Sequence, residues 1–304
     1  MRIVVLHQPH PMGNYKLNVY VAEHLRSLGH EVYTLQQLNG APLSQEYVDM
    51  IKSVDPEVLY FEMLDIETFK AVEQFDCEKV LVHASKGVLD TFDSILEYEG
   101  KWFTKLMTNS KLLHDKWKLS NSEHFEFYPS PLVQSEVDKS IDLQTDIVFL
   151  GQGFARQTSP DYTKEREVFF DNSTIAKSIF GIGWQNQQGY RGVLGPDDIG
   201  KLYGSAPSAF AMIAKSQREM GQINNRYCEL AFCETPIISL DYPTIDWFGA
   251  DKYINFVSSA TELRETVTNI VSGDQSYIER AKELKLFIES KEQEFFLKLQ
   301  HLIQ

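Results

Sequence analysis

Short continuous apolar runs alternate with amphipathic stretches along this chain, and glycine or proline punctuates them. That alternation restricts the fold more than any other feature. Met1 to Leu6 reads as a buried strand, followed by the loop HQPHPMGN, an amphipathic helix near Lys16 to Leu28, and Gly29 as its C-cap. Glu31 to Leu35 restarts a strand. Strand, helix and strand with a glycine stop form a βαβ unit, which implies a parallel sheet. The pattern recurs at Val58 to Phe61 and at Lys79 to His83, each preceded by a helical segment. A short strand at Met107 to Ser110 and a helix at Lys111 to Trp117 follow.

The run FYPSPLV, from Phe127 to Val133, carries two prolines that exclude a continuous helix and mark an extended crossover. It is the best domain boundary. Asp146 to Leu150 (DIVFL) then opens a second α/β set, with later strands expected at Phe180 to Trp184, Ser208 to Ile213 and Pro236 to Leu240. Ser276 to Leu302 reads as helix, its stripe formed by Leu284, Phe287, Ile288, Phe295, Phe296 and Leu299. A chain of 304 residues is long enough for two domains of about 150. The expected division is residues 1–130, residues 131–280 and a terminal helical segment, 281–304.

Hydrophobic residues make up 43% of the chain and charged ones 24%, so nothing suggests disorder. The apolar runs are strand-sized, far short of the ~20 residues a membrane helix needs, and no spanning segment is expected. MRIVVLH passes straight into a strand without the longer apolar region of a signal peptide, so a cytoplasmic location is expected. Cys77, Cys228 and Cys233 lack CxxC spacing and read as buried thiols. A net charge of −14 disfavours a broad electrostatic grip on DNA or anionic lipid but does not exclude a local basic groove.

The segment GQINNRYCELAFCETPIISLD, Gly221 to Asp241, says most about chemistry. A glycine-opened polar turn runs into a short helix and then a buried strand. Gly221 allows close backbone approach, while Asn224, Asn225 and Arg226 stand at the helix start, where free N–H groups and the macrodipole favour phosphate. Glu229, one turn later, suits a pair of neighbouring hydroxyls such as a ribose presents. Together these residues form a place to hold a nucleotide diphosphate.

The order Gly221, Asn224, Arg226, Glu229 and the strand led by Pro236 resembles the donor-site motif of GT-B glycosyltransferases, and within them the CgeB-like group. The similarity to phage DNA glucosyltransferases lies at the level of motif order. Two positions depart from the pattern: Gly221 stands where many relatives carry an acid, and Glu234 to Thr235 replace the usual glycine before the proline. The resemblance implies a GT-B type α/β fold, with two Rossmann-like doubly wound parallel-sheet domains around an interdomain cleft. It also implies an acceptor-side first domain, a nucleotide-sugar-binding second domain, and a last helix crossing back to the first.

Other site residues follow from position and from that resemblance. In the loop GQGFAR, Gly151 and Gly153 are candidate backbone donors, with Arg156 and Arg166 as charges for a diphosphate. The family's arginine at the next helix start favours Arg166. Trp184 is a candidate to stack on a base, its alternative being a core aromatic at a strand end. In the first domain, His7, His10, Gly13 and Asn14 lie after the first strand, where a glycine-bearing loop closing over the donor is preferred to a metal site. His83 ends the strand KVLVH and is the first candidate for the base, Asp90 the second, and Glu62 with Asp65 the third.

No metal or cofactor is expected, and there is no G-x-S-x-G elbow, Walker A loop or HExxH. The leading reading is transfer of a sugar, from a UDP-sugar by preference, to a hydroxyl on a saccharide, protein or small molecule. DNA carrying hydroxymethylated bases is the alternative acceptor. A nucleotide-sugar epimerase and a non-catalytic nucleotide-sugar-binding protein are the rival classes.

Overall fold

The computed structural model describes residues 1–7, 14–36, 43–62, 70–83, 102–117, 121–130, 132, 137 and 143–304. The chain divides into two units, Met1–Pro131 with Glu219–Gln222 and Gln293–Gln304, and Leu132–Arg218 with Ile223–Glu292.

In the first unit the elements run β1 (Arg2–His7), α1 (Asn14–Ser27), β2 (Glu31–Gln36), α2 (Gln45–Val54), β3 (Val58–Glu62), β4 (Glu78–His83), β5 (Lys105–Thr108), α3 (Lys111–Trp117) and β6 (Ser122–His124). The strands pair in the order β2-β1-β3-β4-β5-β6, all parallel. Central strands of such a sheet are covered on both faces, so they read as unbroken apolar runs. Ile3, Val4 and Val5 in β1 and Leu59, Tyr60 and Phe61 in β3 are fully buried. α2 begins where the Ser44 hydroxyl accepts the Tyr47 N–H at 3.3 Å, and it turns Val48 and Ile51 inward.

Two distant segments complete this unit. Met220 is buried in the same core as Val4, Leu59, Phe61 and Leu106. Its carbonyl accepts the Ser110 hydroxyl at 2.6 Å, and Gln222 Nε2 donates to Asn109 Oδ1 at 2.9 Å, both buried. From the end of the chain, Phe295 packs edge-on against Phe125 with centroids 5.0 Å apart, and Phe296 stacks on His24 at 3.7 Å. Lys298 Nζ donates to the His124 carbonyl at 2.6 Å.

The second unit continues with β7 (Ile147–Leu150), α4 (Phe154–Thr158), α5 (Thr163–Glu165), which widens into a π-helical turn at Arg166–Phe170, β8 (Lys177–Phe180) and β9 (Tyr190–Gly192). Then come α6 (Ile199–Ser205), β10 (Ala209–Ala211), α7 (Lys215–Glu219), α8 (Arg226–Phe232), β11 (Ile237–Ser239), β12 (Asn255–Phe256), α9 (Ala260–Val271) and α10 (Gln275–Ile303). The order is β12-β11-β10-β7-β8-β9, again all parallel. The chain reverses its direction of travel between β7 and β10, and open α/β sheets bind ligands beyond the carboxyl ends of strands at such a switch point.

One strand lies elsewhere than the apolar pattern suggests. FGIGW was expected to be extended, yet β8 ends at Phe180. Gly181 follows at φ +121°, and a Cβ there would stand 2.0 Å from the Gly151 carbonyl oxygen. The aromatics of this stretch pack inside the unit. Lys177 is also inside, its ammonium capping the carbonyls of Phe169, Phe170 and Asn172; burial pulls its pKa down to about 8.

Candidate functional site

At the carboxyl end of β7 the two glycines serve close packing. Gly151 N–H donates to the Phe180 carbonyl at 3.0 Å and Gly153 N–H to the Ile182 carbonyl at 2.8 Å. Both amides are therefore engaged, which corrects the expectation that they face a phosphate. A Cβ on Gly153 would lie 2.2 Å from the Gly183 carbonyl oxygen. Trp184 is fully buried, stacked on Phe170 at 4.5 Å, and its indole N–H reaches the Gly151 carbonyl at 2.7 Å. Trp184 is thus a core aromatic and cannot stack on a base.

The arginines exchange roles relative to the family preference. Arg166 Nη1 donates to the carbonyls of Arg156 at 3.0 Å and Ser159 at 2.7 Å, and Nη2 to Thr163 Oγ1 at 3.0 Å. Its guanidinium fastens α4 to α5. Arg156 instead holds its guanidinium 5.8 Å from the centre of the Phe149 ring, and Arg226 stands 5.7 Å from the same ring. Nε of each is buried and has no hydrogen-bond partner among the described residues. Burial, and then the Arg226 charge, lowers the Arg156 pKa to about 10. Two like charges thus share a desolvated place next to one aromatic ring.

Local bonds position this pair. Asn224 Nδ2 donates to the carbonyl of Met212, one residue past β10, at 2.9 Å, and its Oδ1 accepts the Arg226 N–H at 3.2 Å. Asn225 Nδ2 donates to Glu229 Oε1 at 3.2 Å, and Glu229 is buried. The N–H of Tyr227 goes to the Asn224 carbonyl, and those of Cys228 and Glu229 to the Asn225 carbonyl. The first-turn amides expected to face a phosphate are therefore occupied. What α8 presents is the Arg226 side chain. Tyr203 is buried beside them; burial raises its pKa, and the Arg226 charge opposes that rise.

Arg156, Asn224, Asn225, Arg226 and Glu229 thus come together past the ends of β7 and β10. Gly221, at φ +64°, belongs to the turn between the anchored Met220 and Gln222, in the segment grouped with the first unit. His83 is the last residue of β4, Glu62 the last of β3, His7 the last of β1, and Asn14 the first of α1. Their side chains, together with the whole of His10, Gly13, Asp65 and Asp90, lie outside the described residues.

A further cluster was not foreseen. Glu165, 1% exposed, accepts Arg218 Nη1 at 2.6 Å and the Tyr242 hydroxyl at 3.1 Å on one oxygen, Oε1. Arg218 is placed between two rings, 5.4 Å from Tyr162 and 5.1 Å from Tyr242. No sequence pattern joins these residues, because their partners stand 53 and 77 positions away.

Among the described residues no group of His, Cys, Asp or Glu is arranged to hold a metal ion, and no helix is long and apolar enough to cross a membrane. Cys228 and Cys233 are buried, Cys77 is half-buried, and none of the three forms a disulfide among the described residues.

No protein-family model matches the chain, and no curated protein matches it in sequence. Solved structures do match over its whole length. T4 phage beta-glucosyltransferase in complex with UDP-glucose aligns with 100% of this chain and 100% of its own at a TM-score of 0.69 and 13% identity. An alpha-glucosyltransferase in complex with UDP and a 13-mer DNA containing a hydroxymethyluracil (HMU) base aligns over 100% and 99%, at a TM-score of 0.66 and 11% identity. With two parallel six-stranded sheets flanked by helices, the fold is GT-B.

Proposed function

We propose that this protein is a glycosyltransferase that takes its sugar from a nucleotide diphosphate donor, a UDP-sugar by preference. The observation that carries this reading is the pair Arg156 and Arg226, both held beside the Phe149 ring with their Nε atoms buried and without partners among the described residues. Two cations that repel each other in a desolvated site are stabilised by an anion placed between them. A diphosphate fits, because it gains negative charge as the glycosidic bond breaks, and fixed guanidiniums there stabilise the transition state more than the ground state. In this reading no metal is required, since the arginines supply the countercharge. Glu229 accepts the ribose hydroxyls, and Asn224 and Asn225 hold Arg226 and Glu229 in place. His83 takes the acceptor's proton, and Asp90 is the second candidate.

The test is thermal stabilisation by a panel of UDP-, GDP- and ADP-sugars. Stabilisation by at least one, lost in Arg226→Ala and unaffected by a chelator, is expected. No shift with any donor would sink the assignment.

A second reading concerns the acceptor. Solved structures matched over the full chain include a DNA modifying enzyme, beta-glucosyltransferase, and the complex with DNA containing an HMU base, which favours a DNA acceptor. The net charge of −14 opposes a broad grip on the duplex, so contact would rest on a local patch. Transfer of labelled sugar to hydroxymethylated oligonucleotides, falling steeply as salt rises, is the expected result. Transfer to free saccharides alone would exclude it.

A further inference from the structure

Beyond the arginine pair, the second unit contains a cavity of about 340 Å³ at the carboxyl ends of β11 and β12, within the size range of small-ligand sites. One wall is apolar, formed by Leu240, Phe256 and Val257. The lining also includes Glu165, Arg218 and Tyr242 of the buried cluster. Its carboxylate uses only Oε1 for Arg218 and Tyr242; Oε2 has no partner among the described residues. A carboxylate oxygen without a protein partner in a cavity lining can accept from a hydroxyl placed there.

Glu165, in the cavity lining, is linked to Arg156 through the chain itself. Arg166, next to Glu165, donates to the Arg156 carbonyl at 3.0 Å, and Glu165 and Tyr242 are among the groups whose fields reach Arg156. Asp161, Glu165, Asp241 and Glu262 line the cavity against Lys164 and Arg218, so acids outnumber bases. Asp161 is paired with Lys215 at 3.1 Å, and Glu262 accepts both the N–H and the hydroxyl of Ser258. Hydroxyl groups suit such walls because they donate to carboxylates and accept from the cations. A carboxylate on the ligand would meet like charge.

We infer that this cavity receives the glycosyl group of the donor and selects an uncharged, hydroxyl-rich one, with Glu165 supplying the acceptor that Gly221 leaves missing. The inference rests on the donor reading above. Glu165 then acts as a specificity residue, oriented by Arg218 and Tyr242.

Calorimetric titration of the full chain with UDP, UDP-glucose and UDP-glucuronate tests it. UDP-glucose should bind about tenfold more tightly than UDP, the worth of one hydrogen bond to a charged group. UDP-glucuronate should bind no more tightly than UDP. In Glu165→Gln the advantage of UDP-glucose over UDP should shrink while the affinity for UDP itself holds. If that variant fails to fold, the exposed Asp241→Asn should narrow the gap between UDP-glucose and UDP-glucuronate. Equal binding of the three ligands by the unaltered chain would overturn the inference and leave the donor reading standing. Absence of UDP binding would overturn both.

Discussion

Trp184 donates its indole N–H to the carbonyl of Gly151 across 2.7 Å, inside a cage made by Phe149 and Phe170. The bond ties the turn after β8 to the loop after β7. Trp184→Phe keeps most of the packing but leaves that carbonyl without its partner, so unfolding in urea should show a loss of about 1–3 kcal/mol. UDP affinity should stay within about a factor of two, which is 0.4 kcal/mol or so by the same scale. A selective collapse of UDP binding with intact stability would instead restore the base-stacking role.

In the proposed donor site, Arg156 and Arg226 would set ligand binding against stability. With its pKa lowered to about 10, the Arg156 cation is disfavoured where it stands. Arg156→Met should raise the melting point of the ligand-free protein, by about 1 kcal/mol in stability, and abolish stabilisation by UDP. Arg166→Ala should do the reverse in the absence of ligand. It removes donors to two carbonyls and a hydroxyl, and so loosens α4 from α5.

Gly153 has no room for a side chain. Its Cβ would come within 2.2 Å of a backbone oxygen and 2.7 Å of the Trp184 ring, so Gly153→Ala must move one loop or the other. A loss of about 1–3 kcal/mol is expected from overpacking, read by chemical denaturation. A neutral effect would show that the loop after β7 is looser than its hydrogen bonds imply.

His124 makes stability depend on pH. Burial first, and then the Lys298 charge, lowers its pKa from 6.5 to about 4. Between those values the unfolded chain holds more protons than the folded one, so acid favours unfolding there. The stability associated with the neutral ring is fully present above pH 6.5 and lost as pH falls toward about 4. Denaturant titrations across that window should give a shallower slope for His124→Gln than for the unaltered chain. Identical slopes would remove His124 as the cause.

Most of the fold was legible because central parallel strands announce themselves. VVL in β1, LYF in β3 and VFL in β7 are buried on both faces and leave little choice of element. The edges were not: β6 is SEH, β9 YRG and β12 NF, which are too short and too polar to form an apolar run. FGIGW misled for the opposite reason, since Trp184 is apolar and buried while its neighbours Gly181 and Gly183 have positive φ. In the site, residue type singled out Asn224, Arg226 and Glu229, whose side chains and first-turn contacts the structure then gathers. The choice between Arg156 and Arg166 was beyond a sequence, because it turns on how many donors of each guanidinium local acceptors take: two carbonyls and a hydroxyl for Arg166, the Gln152 carbonyl for Arg156.

The closing residues of α10 have one more consequence. Gln293–Gln304 belongs to the unit that contains the start of the chain, and it carries the buried Phe295, Phe296, Leu299 and Ile303. During synthesis the first unit therefore cannot close its core when its own strands leave the ribosome. It must wait until residues 293–304 have been translated, with the exposed surface of Phe125 and His24 held open in the meantime. A nascent chain stalled before Gln293 should accordingly remain protease-sensitive over residues 1–131, and gain protection only once residues 293–304 have left the ribosome.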